Sequence, residues 1–164
     1  MESLKKQKYH LTFDEVDPKF ILAIYSGLPS YRLAFLINTC LFSQLKREKD
    51  LDFYKDVKFP YFFFQDEVLQ IEYRLIKNKT SQISKKQPID SSPLNSLFNE
   101  TASLEETFYV LPECKEADYF LVLDGEFGDD QLAHIEHEIT KLEDVLSAYY
   151  IPFENIKSKT HLTF

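Results

Sequence analysis

The chain has no tryptophan, one methionine, two cysteines and three glycines in 164 residues. Each shortage excludes something. So few glycines leave little scope for a Gly-rich phosphate cradle, and Asp124-Gly125-Glu126-Phe127-Gly128 is neither GxGxxG nor a P-loop. Cys40 and Cys114 have no CxxC partner, which removes zinc ribbons and thioredoxin-like motifs. Cys40 sits in an apolar helical pattern and reads as a small buried hydrophobe. The histidines are His10, His134, His137 and His161, none beside a recognisable nucleophile motif, so no Ser/His/Asp or Cys/His set is proposed.

Positive charge is also short. Against 27 Asp and Glu stand 19 Lys and Arg, a net charge of -8. A broadly acidic surface repels phosphate backbones, so no nucleic-acid partner is expected. No apolar run is long enough to span a bilayer, and MESLKKQKYH lacks the apolar centre of a signal peptide. The expectation is a cytoplasmic protein with free thiols, no membrane association and no cofactor. Asn78-Lys79-Thr80 and Asn99-Glu100-Thr101 match glycosylation sequons, which matter only for a secreted chain.

What the chain has is rings: 15 Phe and 10 Tyr, with 44% of residues hydrophobic. That is enough for one domain over residues 1–164 with a real core, preceded by a basic leader at 1–8. Its clearest strand lies within Leu111 to Gly125, LPECKEADYFLVLDG. There Ala117 to Leu123 is rich in aromatic and branched residues and closes on Asp124-Gly125. It is apolar on both faces, which places it centrally in a sheet. Tyr9 to Phe13 alternates like a short strand, and Phe20 to Tyr25 reads as another, ended by Ser26-Gly27.

Leu33, Leu36, Ile37, Cys40 and Leu41 follow helical spacing, predicting a helix from Tyr31 to Leu45. Lys46 to Lys55 reads as a charged strand near an edge, and Phe59 to Phe64 as a strand with Pro60 at its start. Gln65-Asp66-Glu67 then turns into Val68 to Lys77, with Leu69, Ile71, Tyr73 and Leu75 on one face. Asn78 to Glu106 is polar and long; it reads as a surface insertion at 79–106, or as a binding loop docked by Leu94, Leu97 and Phe98. Asp129-Asp130 start a second helix whose buried stripe is Leu132, Ile135, Ile139, Leu142 and Leu146. Val145 to Phe153 reads as the last main strand, and Thr160 to Phe164 as a final short one.

A strand, Gly turn, helix and strand occur in Phe20–Tyr54 and again in Phe120–Ile151, and HLTF occurs at His10 and at His161. These suggest an α+β fold: an antiparallel sheet with two main helices on one face, a ferredoxin-like βαβ/βαβ duplication with an inserted hairpin.

Five residues stand out as candidate contacts to a ligand or partner: Tyr31, Arg32, Glu113, Asp118 and Tyr119. Glu113 and Asp118 flank the central strand and would suit acid/base work or a cation; the plainer reading is a shaped turn and a hydrogen-bond acceptor. Tyr31 and Arg32 open the first helix, where an anion would bind, or where Arg32 pairs with a carboxylate and Tyr31 packs as a lid. His134, His137 and Glu138 share a helix face, but HIEHE lacks the metalloprotease order, and a solvated face explains it better than a metal. Tyr61 to Phe64 reads as core or dimer packing rather than a base-stacking platform.

Ser30 to Asn38, SYRLAFLIN, resembles the "YRL…LN" helix of the IPExxVD family from Bacteroidota. Leu111-Pro112-Glu113 followed by Ala117-Asp118-Tyr119-Phe120-Leu121 resembles the element that names it, and Ile156-Lys157-Ser158 with Leu162-Thr163-Phe164 fits as well. Leu111 stands for Ile and Ala117 for Val, and three residues rather than two separate Glu113 from the apolar–Asp pair. The resemblance implies no reaction, cofactor or site. It adds one alternative, an acidic accessory protein for acyl-carrier or RNA-processing machinery. The residues themselves favour a non-catalytic protein-interaction or regulatory module, with a homodimer as the default and a small-ligand sensor as the alternative.

Overall fold

A computed structural model describes residues 20–54, 56–84 and 104–162. The leader, the strand expected at Tyr9 to Phe13, residues 85–103 of the polar stretch and the last two residues lie outside these.

The fold is α+β. Strand β1 (Phe20–Ser26) leads into helix α1 (Ser30–Leu41) and the two-residue β2 (Lys46–Arg47). A ribbon of β3 (Leu51–Tyr54) and β4 (Val57–Phe59) follows, then the hairpin of β5 (Tyr61–Asp66) and β6 (Ile71–Lys77). A second ribbon is made by β7 (Lys79–Ser84) and β8 (Leu104–Tyr109). The chain closes with β9 (Tyr119–Asp124), α2 (Asp129–Thr140) and β10 (Val145–Ile151). Six strands form one antiparallel sheet in the order β10-β1-β9-β6-β5-β2.

β1 and β9 sit inside the sheet because both of their faces are apolar. Ile21 to Ile24 and Phe120 to Leu123 are fully buried. On one face Leu22, Ile24 and Leu121 pack with Leu33 and Ile37 of α1 and Ile135 and Ile139 of α2. On the other, Ile21, Phe120 and Val122 pack with Val57 and Phe59 of the first ribbon, Leu111, and the tail residues Ile156 and Leu162. The helices therefore cover a single face, as their stripes predict, and the opposite face is closed by ribbon, loop and tail.

Several boundaries differ from the sequence reading. α1 stops at Leu41 because Phe42 turns left-handed, at φ 53°. The Asn38 side chain then folds the chain back, accepting the Leu45 N–H at 2.7 Å and donating to the Leu45 carbonyl at 3.1 Å. Leu45 reaches the core from a loop, which is why its spacing mimicked helix. α2 stops at Thr140, and Leu146 lies in β10, 83% exposed. The tail forms a 3-10 turn at Lys159–His161, not a strand. The turn of the β5–β6 hairpin falls at 67–70, where the Asp66 carboxylate accepts the Val68 and Leu69 N–H groups and leaves Leu69 outside. Both ends of the expected insertion are strands, β7 and β8.

The part of Lys46–Tyr54 that joins the six-stranded sheet is β2, at the edge beyond β5, and the strand beside β9 is β6. β10, β1, β9 and β6 stand side by side, with β5 and β2 added beyond β6. Among the described residues no helix is long and apolar enough to cross a membrane.

Candidate functional site

The five residues singled out from the sequence do not converge. Glu113 lies in a 3-10 turn, Pro112–Cys114, and faces the tail. Its carboxylate accepts the N–H groups of Lys157 at 2.7 Å and Ser158 at 2.8 Å, and the Ser158 hydroxyl at 3.1 Å. Burial alone would raise its pKa, but these hydrogen bonds outweigh it and hold the carboxyl below its ordinary range. The consequence has a definite sign. A lowered folded-state pKa contributes stability above the ordinary carboxylate value, lost as pH falls through the lowered one. Glu113→Gln is therefore expected to cost about 0.5–1 kcal/mol at pH 7, after screening at this exposed site, and almost nothing in acid. Urea melts at pH 7 and pH 3 check it, and an equal cost at both would count against the pairing.

Asp118 sits where β1, β6 and β9 meet. Its carboxylate accepts the Ser26 N–H at 2.9 Å and pairs with Lys79 at 2.8 Å. Tyr119 is buried and donates its hydroxyl to the Leu28 carbonyl, fixing the turn between β1 and α1. Burial, helped by the Asp118 charge, pushes its phenol up to about 12. Tyr31, by contrast, is 70% exposed on the outer side of α1, and Arg32 beside it is exposed too.

One residue that the sequence offers only as part of a sequon makes more hydrogen bonds than any of these. Asn78, between β6 and β7, is fully buried. Its side-chain amide donates to the carbonyls of Cys114 at 2.9 Å and Ala117 at 2.8 Å, and its side-chain oxygen accepts the Leu111 N–H at 3.0 Å. Its backbone bonds Asp118 and Val110. It thus clamps the whole Leu111–Asp118 loop to the sheet. A buried amide nitrogen already donating twice is not a glycosylation acceptor in the folded protein, whatever the sequon suggests.

Two of several concavities flank α1. The first, about 630 Å³, opens beside the Ser26–Leu28 turn that precedes α1, lined by Lys77, Lys79, Thr80, Tyr109 and Asp118. The second, about 410 Å³, lies between the end of α1, the β5–β6 turn and the start of α2. Its wall is apolar: Leu41, Phe42, Leu69, Ile71 and Phe127, with Cys40 and His134 beside them. Burial, and secondarily the Glu138 carboxylate, push the Cys40 thiol up to about 11, so at neutral pH it is an uncharged apolar surface and not a nucleophile. Glu126 and Asp130 stand on the rim. Phe42 is 93% exposed and Leu69 62%, both lining this groove.

The sequence reading missed this groove because it assigned Leu69 to the inner face and ran the helix through Phe42. The signal available was Asp66, whose short acceptor side chain favours a turn at Glu67-Val68. Among the described residues no group of three His, Cys, Asp or Glu side chains is set to hold a metal ion. Compared with protein-family models, curated proteins and solved structures, the chain gives no match.

Proposed function

We propose that this chain is a non-catalytic, cytoplasmic protein-interaction module that works as a homodimer and holds a partner segment in the apolar groove between its two helices. The observation that carries the reading is the pair of exposed apolar side chains, Phe42 and Leu69, on a concave apolar wall. The acidic rim adds a preference: an apolar segment flanked by Lys or Arg complements Glu126 and Asp130. The titratable groups that suggested chemistry, Glu113 and Asp118, are engaged in structural hydrogen bonds. The order of β10, β1, β9 and β6 with both helices on one face supports a ferredoxin-like arrangement, and the residues named above support kinship with the IPExxVD family of Bacteroidota.

The test pairs binding with folding. Phe42→Asp with Leu69→Asp places two carboxylates at exposed positions, so the melting temperature should hold while capture of a partner from lysate falls at least tenfold. Equal capture by both proteins would overturn the groove. A small-ligand sensor is the second reading, favoured by the concavity beside the turn before α1, where Lys77 stands with the Lys79–Asp118 pair. In that case phosphate or nucleotides would raise the melting temperature of the wild type, and the double variant would respond equally.

A further inference from the structure

The two edges of the six-stranded sheet are unlike. At one end β2 is two residues long, Lys46-Arg47, with Glu48, Lys49 and Asp50 just beyond. A short, charged edge discourages pairing with another chain. At the other end β10 runs seven residues, Val145-Leu146-Ser147-Ala148-Tyr149-Tyr150-Ile151, with no charge and no proline inside it. Among the described residues no strand lies beyond it. Leu146 is 83% and Tyr149 47% exposed on this edge.

The register says which backbone groups are open. The Ile24 carbonyl accepts the Asp118 N–H, so Ile24 faces β9. Alternation then turns Ala23 and Tyr25 toward β10, and their partners are Tyr149 and Ser147. The N–H and C=O groups of Ala148 and Tyr150 therefore point away from the sheet.

We infer that β10 pairs antiparallel with β10 of a second copy, about a two-fold axis at Ala148, joining the two sheets into one. The inference rests on the homodimer proposed above and supplies its interface. Three features select a second copy over a foreign strand. The open groups of Ala148 face those of Ala148, and Leu146, which the β1 register skips in a bulge between Val145 and Ser147, stands exposed on the same edge as Tyr150 of the other copy. The uncharged strand meets itself without like-charge repulsion. One open and one guarded edge give a closed pair rather than a filament.

Light scattering and residue-resolved hydrogen exchange on the intact chain test this together. A pairing along one short strand is a small interface, so the expected dissociation constant is on the order of micromolar. Above it, the mass should be twice 19.4 kDa, and the amides of Ala148 and Tyr150 should gain protection at least tenfold over dilute protein. The Tyr149 amide, already bonded to β1, should change far less. Leu146→Lys, at an exposed position, should abolish the dimer without shifting the melting temperature of the dilute protein. A dimer whose Ala148 and Tyr150 amides stay fast would place the interface elsewhere and sink this inference alone. Protection that does not depend on concentration would show the edge covered within one chain, and would sink it too. A monomer at all concentrations would remove the homodimer itself.

Discussion

Asn78→Ala is expected to destabilise the protein by about 3–4 kcal/mol, lowering the melting temperature by about 10 °C. The substitution deletes three side-chain hydrogen bonds at a fully buried position. It leaves the Leu111 N–H and the carbonyls of Cys114 and Ala117 without that partner, and an orphaned buried polar group costs about 1–3 kcal/mol. The total falls below the sum because the loop relaxes. Asn78→Asp should fare no better. It keeps an acceptor for Leu111 but sets a carboxylate against two carbonyl oxygens. A local readout separates the clamp from general loss of packing: the Leu111 amide should exchange faster than its neighbours in β9. A variant within 1 kcal/mol of the wild type would show that the loop is held by its apolar contacts instead.

Asn78 also marks where sequence reading ends. Position 78 opened a run of Lys, Thr, Ser and Gln, and such composition reads as solvated surface. Nothing local says that one amide in that run faces inward, because its partners lie 33 to 39 residues away. The ribbon it introduces was invisible for a related reason. KTSQIS and LEETFY satisfy each other's backbones but give little to the core, so neither shows a buried face. What was legible is what the core itself writes. β1, α1, β9, α2 and β10 carry apolar patterns that only those elements satisfy. The errors in them fall at their ends, where a left-handed residue such as Phe42 at φ 53° or Asp144 at φ 67° stops a pattern that continues in the sequence. Of the candidate contacts, Asp118 and Tyr119 bond the Ser26 N–H and the Leu28 carbonyl around the turn that follows β1, while Tyr31 and Arg32 lie on the outer side of α1.

Gly125→Ala is expected to be the most damaging small substitution in the chain, at about 3–5 kcal/mol. Gly125 follows β9 with φ +125°, a conformation that a residue with a Cβ adopts only under strain of about 1–3 kcal/mol. Space is the second cost. An added Cβ would stand 2.7 Å from the Gln70 carbonyl oxygen and 2.9 Å from Ile71 Cγ2, and a backbone atom cannot swing aside as a side-chain end can. The β5–β6 turn must move, and that turn carries Leu69 and the wall of the apolar groove. Stability and partner binding should therefore fall together, unlike Phe42→Asp with Leu69→Asp, where binding falls alone. Gly27→Ala provides the control. The same methyl would meet no atom within 4 Å there, so its cost should stay within about 0.5 kcal/mol. Denaturant melts of the two variants decide the matter. Equal costs would mean that the close approach of Gly125 to Gln70 carries no energy, and the groove would lose its rigid wall.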